Sequence, residues 1–141
     1  METSFLVLSA LLFVFGIYIG FQLGSAAGER AVTTADYWKM NAAAVVAAVL
    51  LTAVLSGFPL LYSGIIGLLA GGIVGLKMAF GESTGPWKAH DRAFNVNKAH
   101  RETAEKGTGR ARRERRRSGE QAPDLISVDG SAGEDKKKKK R

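Results

Sequence analysis

The lengths of the uncharged apolar runs constrain this chain more than any other feature of its sequence. Residues 5–28 contain no charged side chain, and residues 40–80 contain only Lys77. As a helix, the first run would reach roughly 36 Å, enough to cross a hydrocarbon core of about 30 Å. The sequence therefore predicts an all-α integral membrane protein, even though its mean hydropathy is +0.00.

The second apolar run is too long for one membrane span. As a straight helix, residues 40–80 would reach roughly 60 Å, about twice the hydrocarbon core. The run is interrupted by Ser56-Gly57-Phe58-Pro59, and proline both lacks an amide hydrogen and clashes with a preceding helical turn. We expect spans at about 40–57 and 59–80, joined as a tight helical hairpin, and a first span at 5–28. The alternative is two spans, with the second run forming one helix and a re-entrant piece.

The charge of the chain lies entirely in its second half. Residues 1–81 hold three basic and three acidic side chains, so the formal charge of +7 belongs to residues 82–141. We therefore divide the chain into a transmembrane domain, 1–81, and a basic cytoplasmic tail, 82–141. The tail is rich in charged and small residues and cannot bury much apolar area. It is expected to be disordered apart from a possible helix at about 87–106.

Basic residues also indicate an orientation. Arg30 and Lys39 lie between the first two spans, whereas the predicted hairpin carries no charge. Because cytoplasmic loops are enriched in Lys and Arg, we expect the N-terminus outside and the C-terminus in the cytoplasm of a bacterial inner membrane. Lys77 is expected to extend its ammonium group to the inner interface.

A cleaved signal peptide is the alternative for the first span. Ser25-Ala26-Ala27 resembles a cleavage site. Residues 1–4, however, lack a basic region, and the apolar run exceeds a typical signal-peptide core. The sequence therefore favours a retained span.

Glycines recur every fourth residue in two of the spans. Residues four apart lie on nearly the same helix face, and small residues allow transmembrane helices to approach closely. The predicted helix-packing residues are Gly16, Gly20, Gly24 and Gly28 in the first span, and Gly67, Gly71 and Gly75 in the third. This glycine-zipper pattern is compatible with packing inside one chain, with a homo-oligomer or with a larger membrane complex.

Two basic blocks in the tail are candidate contacts for anionic lipid headgroups. Their members are Arg110, Arg112, Arg113, Arg115, Arg116, Arg117, Lys136, Lys137, Lys138, Lys139, Lys140 and Arg141. Nucleic acid or a ribosome is a second possible partner, although no aromatic residues interleave the arginines to stack on bases. The third interpretation is a solvated tail that only fixes topology.

The sequence offers no constellation for catalysis. It has no cysteine, and His90 and His100 lie ten residues apart without carboxylates or thiolates at metal-ligand spacing. No acidic residue occurs within the predicted spans, which argues against proton transport by an intramembrane carboxylate. We therefore expect no enzyme activity, no metal and no cofactor.

These features together predict a small structural or accessory membrane subunit, with helix packing through glycine faces and a polybasic tail. The layout is similar to that of holin-like proteins, which are short, often have three spans, place the N-terminus outside and end in a basic cytoplasmic tail. Three alternatives therefore stay open: a holin-like pore-forming protein, a membrane tether for RNA, ribosomes or DNA, and a channel or transporter subunit.

Overall fold

A computed structural model describes residues 2–119 of the chain. These residues form six helices and no strand, which confirms the all-α prediction for them. The helices are α1 (Glu2–Arg30), α2 (Thr34–Val54), α3 (Leu61–Phe80), α4 (Pro86–Ala93), α5 (Lys98–Lys106) and α6 (Gly109–Ser118). The first three are long and apolar enough to span a membrane. We call α1–α3 the bundle and α4–α6 the cap.

The second helix begins earlier than predicted, at Thr34 rather than at about 40. The Thr33 hydroxyl accepts a hydrogen bond from the Asp36 amide at 3.1 Å, and the Asp36 carboxylate accepts one from the Thr33 amide at 3.0 Å. This reciprocal capping box satisfies two amide groups that a helix start leaves without partners. The first turn of α2 can therefore contain polar residues that hydropathy alone does not assign to a span.

The third helix packs along α1. A Cβ atom added at Gly16, Gly20 or Gly24 would meet the backbone of α3 at residues 64, 68 and 72, in ascending order. The two helices therefore run parallel. Contact between α2 and α3 is much smaller, so the structure does not confirm the tight hairpin expected for these two helices.

The first part of the tail, which we expected to be mostly disordered, forms the three helices of the cap. The single helix predicted at about 87–106 is divided into α4 and α5, because Asn95 and Asn97 adopt φ of 49°, in the left-handed region that asparagine tolerates better than most residues. We expected disorder beyond residue 106, but Gly109–Ser118 is helical in the structure.

The buried core lies at one end of the bundle, where it joins the cap. Ala31, Tyr37, Leu76 and Phe80 form this core, and the rings of Tyr37 and Phe80 lie 4.8 Å apart. Elsewhere the outward side chains of the bundle are apolar and exposed. Val54, for example, has an exposed fraction of 79%. The chain thus presents a large apolar surface around its helices and a polar surface at the core end.

Candidate functional site

One face of α6 is directed at the ends of the bundle helices. Gly109, Arg112, Arg113 and Arg116 follow the i, i+3, i+4, i+7 spacing that places side chains on one helix face. Gly109 is buried, and a Cβ atom there would meet the Glu82 carboxylate and the Arg113 guanidinium. Both groups are the ends of flexible side chains, so a larger residue at this position would have to displace the Glu82–Arg113 ion pair and not the backbone.

Arg113 occupies the centre of this face and is only 4% exposed. Its Nε donates to the Val32 carbonyl at 2.8 Å, and its Nη1 donates to the Glu82 carboxylate at 2.8 Å and to the Phe80 carbonyl at 3.3 Å. The guanidinium carbon also lies 3.8 Å from the centre of the Phe80 ring. Arg113 therefore binds within the chain, which differs from the lipid contact expected for it.

The neighbouring arginines contact carbonyl groups at the same end of the bundle. Arg112 donates to the Gly81 carbonyl at 3.2 Å, and Arg116 donates to the Glu29 carbonyl at 3.1 Å. The last carbonyls of a helix have no partner inside it, and they carry the negative end of the helix dipole. The three arginines thus stabilise the C-terminal ends of α1 and α3 with both hydrogen bonds and charge.

The remaining arginines of α6 are exposed. Arg110 donates to the Glu114 carboxylate at 2.8 Å, one helical turn away. Arg115 and Arg117 form no salt bridge with any residue in the range 2–119. Their side chains also form no hydrogen bond with the described residues, which distinguishes them from Arg112 and Arg116 and leaves their donors free for an external anion. The second block, Lys136–Lys140 with Arg141, lies outside the described residues.

A second charged network joins α3 to the cap. Lys77 donates to the Asp91 carboxylate at 2.6 Å, and that carboxylate also accepts from the Ser83 hydroxyl at 2.6 Å and the Asn97 amide at 3.0 Å. Asp91 is fully buried and Lys77 is 5% exposed. Burial acts to raise the pKa of Asp91, but hydrogen bonds from Lys77, Ser83 and Asn97 outweigh it and hold the pKa well below its usual range. Asp91 is therefore a buried, charged residue in the last turn of α4.

This network gives Lys77 a partner within the chain. Its ammonium group binds Asp91 and lies 4.5 Å from the centre of the Trp87 ring, and Lys77 is only 5% exposed. The sequence did carry a signal that we missed, because an isolated charge in an apolar span needs a partner. Glu82 and Asp91 are the first two carboxylates after Lys77, and both lie in buried or partly buried ion pairs.

The predicted glycine residues lie between α1 and α3. Gly16, Gly20, Gly24 and Gly28 are buried on α1, and Gly67, Gly71 and Gly75 are buried on α3. A Cβ atom at any of these seven positions would come too close to the opposite helix, in every case to a backbone atom. The two glycine faces therefore meet inside one chain.

Within residues 2–119 no cluster of three or more His, Asp or Glu side chains has the arrangement of a metal site. No protein-family model matches the sequence, and no curated protein or solved structure matches it either. What the chain does has to be inferred from its charged helix-end contacts, its exposed arginines and its apolar surface.

Proposed function

We propose that the chain is a three-pass integral protein of a bacterial inner membrane that acts as a structural or accessory subunit. Its N-terminus lies outside and its cap and tail lie in the cytoplasm. The exposed basic side chains of α6, together with the lysine run at 136–140, bind anionic lipid headgroups of the inner leaflet.

The attachment of α6 to the bundle is the observation that carries this proposal. Arg112, Arg113 and Arg116 hold the helix against the carbonyl ends of α1 and α3. Arg115 and Arg117 therefore lie at a fixed place beside the ends of two membrane-spanning helices. Anionic headgroups lie at that level of a bilayer, and each basic residue near them contributes about 1 kcal/mol.

A structural role also agrees with the use of the glycine faces. Because α1 and α3 pack against each other through these faces, the glycines are not available to a second copy of the chain. Contacts with other subunits would use the bulky apolar side chains on the outside of the bundle, such as Leu6, Val49 and Val54, all of which are exposed.

Lipid retention measured by native mass spectrometry tests the proposal. The full chain is placed in nanodiscs of phosphatidylcholine with a minor fraction of phosphatidylglycerol, and the lipids that stay bound after release are counted. Arg115→Gln with Arg117→Gln should weaken phosphatidylglycerol binding by about 2 kcal/mol, or roughly thirtyfold. Lys98→Gln with Lys106→Gln is the matched control, since it also removes two exposed cations from the cap.

The outcomes separate this proposal from the alternatives. Equal retention of phosphatidylglycerol by the wild type and the Arg115/Arg117 variant contradicts it. Salt-sensitive binding of ribosomes without a lipid preference supports the tether, and leakage of dye-loaded vesicles supports the pore-forming alternative.

A further inference from the structure

A half-open cavity of about 210 Å³ lies between α4, α5 and the segment that follows α3. Its lining residues are Ser83, Lys88, Arg92, Arg101, Ala104 and Glu105. At roughly 30 Å³ per water in the liquid, its volume corresponds to about seven waters, which leaves room for a tetrahedral anion. The cavity is separate from the arginine face of α6.

The cationic side chains around this cavity come from two helices. Lys88 and Arg92 lie four residues apart and therefore on one face of α4, and Arg101 approaches from α5. None of the three forms a salt bridge with another residue in the range 2–119. Three cations and the single carboxylate of Glu105 leave a formal charge of +2 around the cavity.

Arg101 also carries a donor that has no acceptor. Its Nη2 donates to the Asn95 side-chain oxygen at 3.0 Å, whereas its Nε is shielded from solvent and has no hydrogen-bond partner among the described residues. A shielded guanidinium N–H is unfavourable without an acceptor. Because the same shielding keeps an anion in the half-open cavity from reaching Nε, Arg101 contributes its positive charge to the cavity and not this donor.

We propose that this cavity binds the phosphate group of a phosphate monoester or of inorganic phosphate. Guanidinium and ammonium groups are the donors that proteins use for phosphate oxygens, and Arg supplies a planar fork of N–H groups. A phosphate monoester carries a charge of about −1.5 to −2 at pH 7, which matches the +2 of the cavity better than the single charge of a diester does. The source is either a lipid headgroup or a soluble phosphate.

This site goes beyond the proposed function and does not rest on it. The headgroup contacts proposed above use Arg115 and Arg117 of α6, and neither residue lines the cavity. Loss of phosphate binding at the cavity and loss of phosphatidylglycerol retention at α6 can therefore be observed separately.

The first arm of the test uses inorganic phosphate. The full chain in nanodiscs of phosphatidylcholine alone is titrated with phosphate and followed by isothermal titration calorimetry. Lys88→Gln with Arg92→Gln should weaken phosphate binding at least about tenfold, because each charge-assisted hydrogen bond to phosphate is lost with its donor. Lys98→Gln with Lys106→Gln should bind phosphate as the wild type does. Equal weakening in both variants would overturn the proposal, since it would show general charge attraction.

The second arm uses phosphatidic acid, a lipid whose headgroup is a phosphate monoester. Its retention from mixed nanodiscs is measured by native mass spectrometry for the wild type and both double variants. Loss of retention only in the Lys88/Arg92 variant supports the site and assigns it to a lipid, while phosphate binding without phosphatidic acid retention supports it and assigns a soluble phosphate. If neither ligand binds the wild type in preference to the Lys88/Arg92 variant, the proposal is wrong. Circular dichroism of each variant verifies that its helices are intact.

Discussion

Arg113 joins three separate parts of the chain through one guanidinium group. Its partners are the Val32 and Phe80 carbonyls and the Glu82 carboxylate, and its side chain is almost entirely shielded from solvent. Removing one partner of a buried ion pair leaves the other charge without compensation, which typically costs about 3–5 kcal/mol.

We therefore expect Arg113→Ala to detach α6 and to destabilise the cap by about 3–5 kcal/mol. The measurement is chemical unfolding of the full chain in detergent, followed by the fluorescence of its two tryptophans, of which Trp87 lies in the cap. Arg115→Ala is the control on the same helix, and an exposed substitution of this kind changes stability by about 0.5 kcal/mol or less. Equal destabilisation by the two substitutions would show that the contacts of Arg113 contribute nothing specific.

His100 makes the stability of the cap dependent on pH. Burial lowers the pKa of His100 below its usual value of 6.5, and the charges of Lys77 and Arg112 lower it further against the opposing effect of Asp91. A histidine released into solvent then binds a proton more tightly than the folded one does. The stability that this difference provides is present above about pH 6.5 and is lost as the pH falls through the folded pKa.

The thermal midpoint of the cap should accordingly fall between pH 7 and pH 5, and His100→Gln should flatten that dependence. Differential scanning fluorimetry on the tryptophans measures both curves. His90→Gln removes the other histidine of the chain and is expected to retain the fall. A His100→Gln curve that is as steep as the wild-type curve would exclude His100 as the origin.

At the scale of the helices, the adjacent glycines Gly71 and Gly72 of α3 differ in how much room the packing against α1 leaves for a side chain. A Cβ atom at Gly71 would meet the backbone of Ile17 and Phe21 on α1. At Gly72 the one neighbour is the Gly20 carbonyl oxygen at 3.7 Å, an ordinary van der Waals contact. Backbone atoms cannot move aside as a flexible side chain can, so an added methyl at Gly71 has to separate the helices.

We expect Gly71→Ala to destabilise the bundle by about 1–3 kcal/mol, the usual cost of overpacking. Gly72→Ala should change stability by less than about 1 kcal/mol, since alanine fits there and favours the helix. Unfolding of the two variants by a denaturing detergent compares them directly. A stable Gly71→Ala bundle would contradict the close backbone packing.

The three long helices could be predicted from the sequence because the signals for them are local. The lengths of the apolar runs and the break near Pro59 predicted the positions of these helices. The four-residue spacing of the glycines predicted which residues lie between α1 and α3. The start of α2 was misplaced because its capping box lies among polar residues.

The cap could not be predicted in the same way. The arginine-rich sequence of α6 is typical of a solvated segment, and its helix is held by Arg113 contacts with residues 31 and more positions away along the chain. The Lys77–Asp91 pair spans 14 positions and depends on the turn between α3 and α4. Composition and periodicity do not report such contacts, whereas the isolated charge of Lys77 did indicate that a partner was needed.

At the scale of the whole molecule, the proposed orientation in the membrane is argued from the end of the bundle at which the basic side chains lie. The cap binds the C-terminal ends of α1 and α3, so the chain has one strongly basic end. The connection between α2 and α3 carries no charged side chain at residues 55–60 and would lie at the opposite surface if α2 and α3 each cross the membrane. Because positive residues are retained on the cytoplasmic side, the basic end should face the cytoplasm.

The absence of cysteine from the sequence allows this orientation to be tested with single-cysteine variants. Gly57→Cys lies in open space in the α2–α3 connection, and Ala111→Cys lies on the exposed face of α6. In intact cells a membrane-impermeant maleimide should label Gly57→Cys and not Ala111→Cys, which should react only after permeabilisation. The reverse pattern would invert the topology, and labelling of both positions in intact cells would contradict a stable span between them. Because α2 ends before residue 57 and α3 separates that residue from the cap, the pair also reports whether α3 crosses the bilayer.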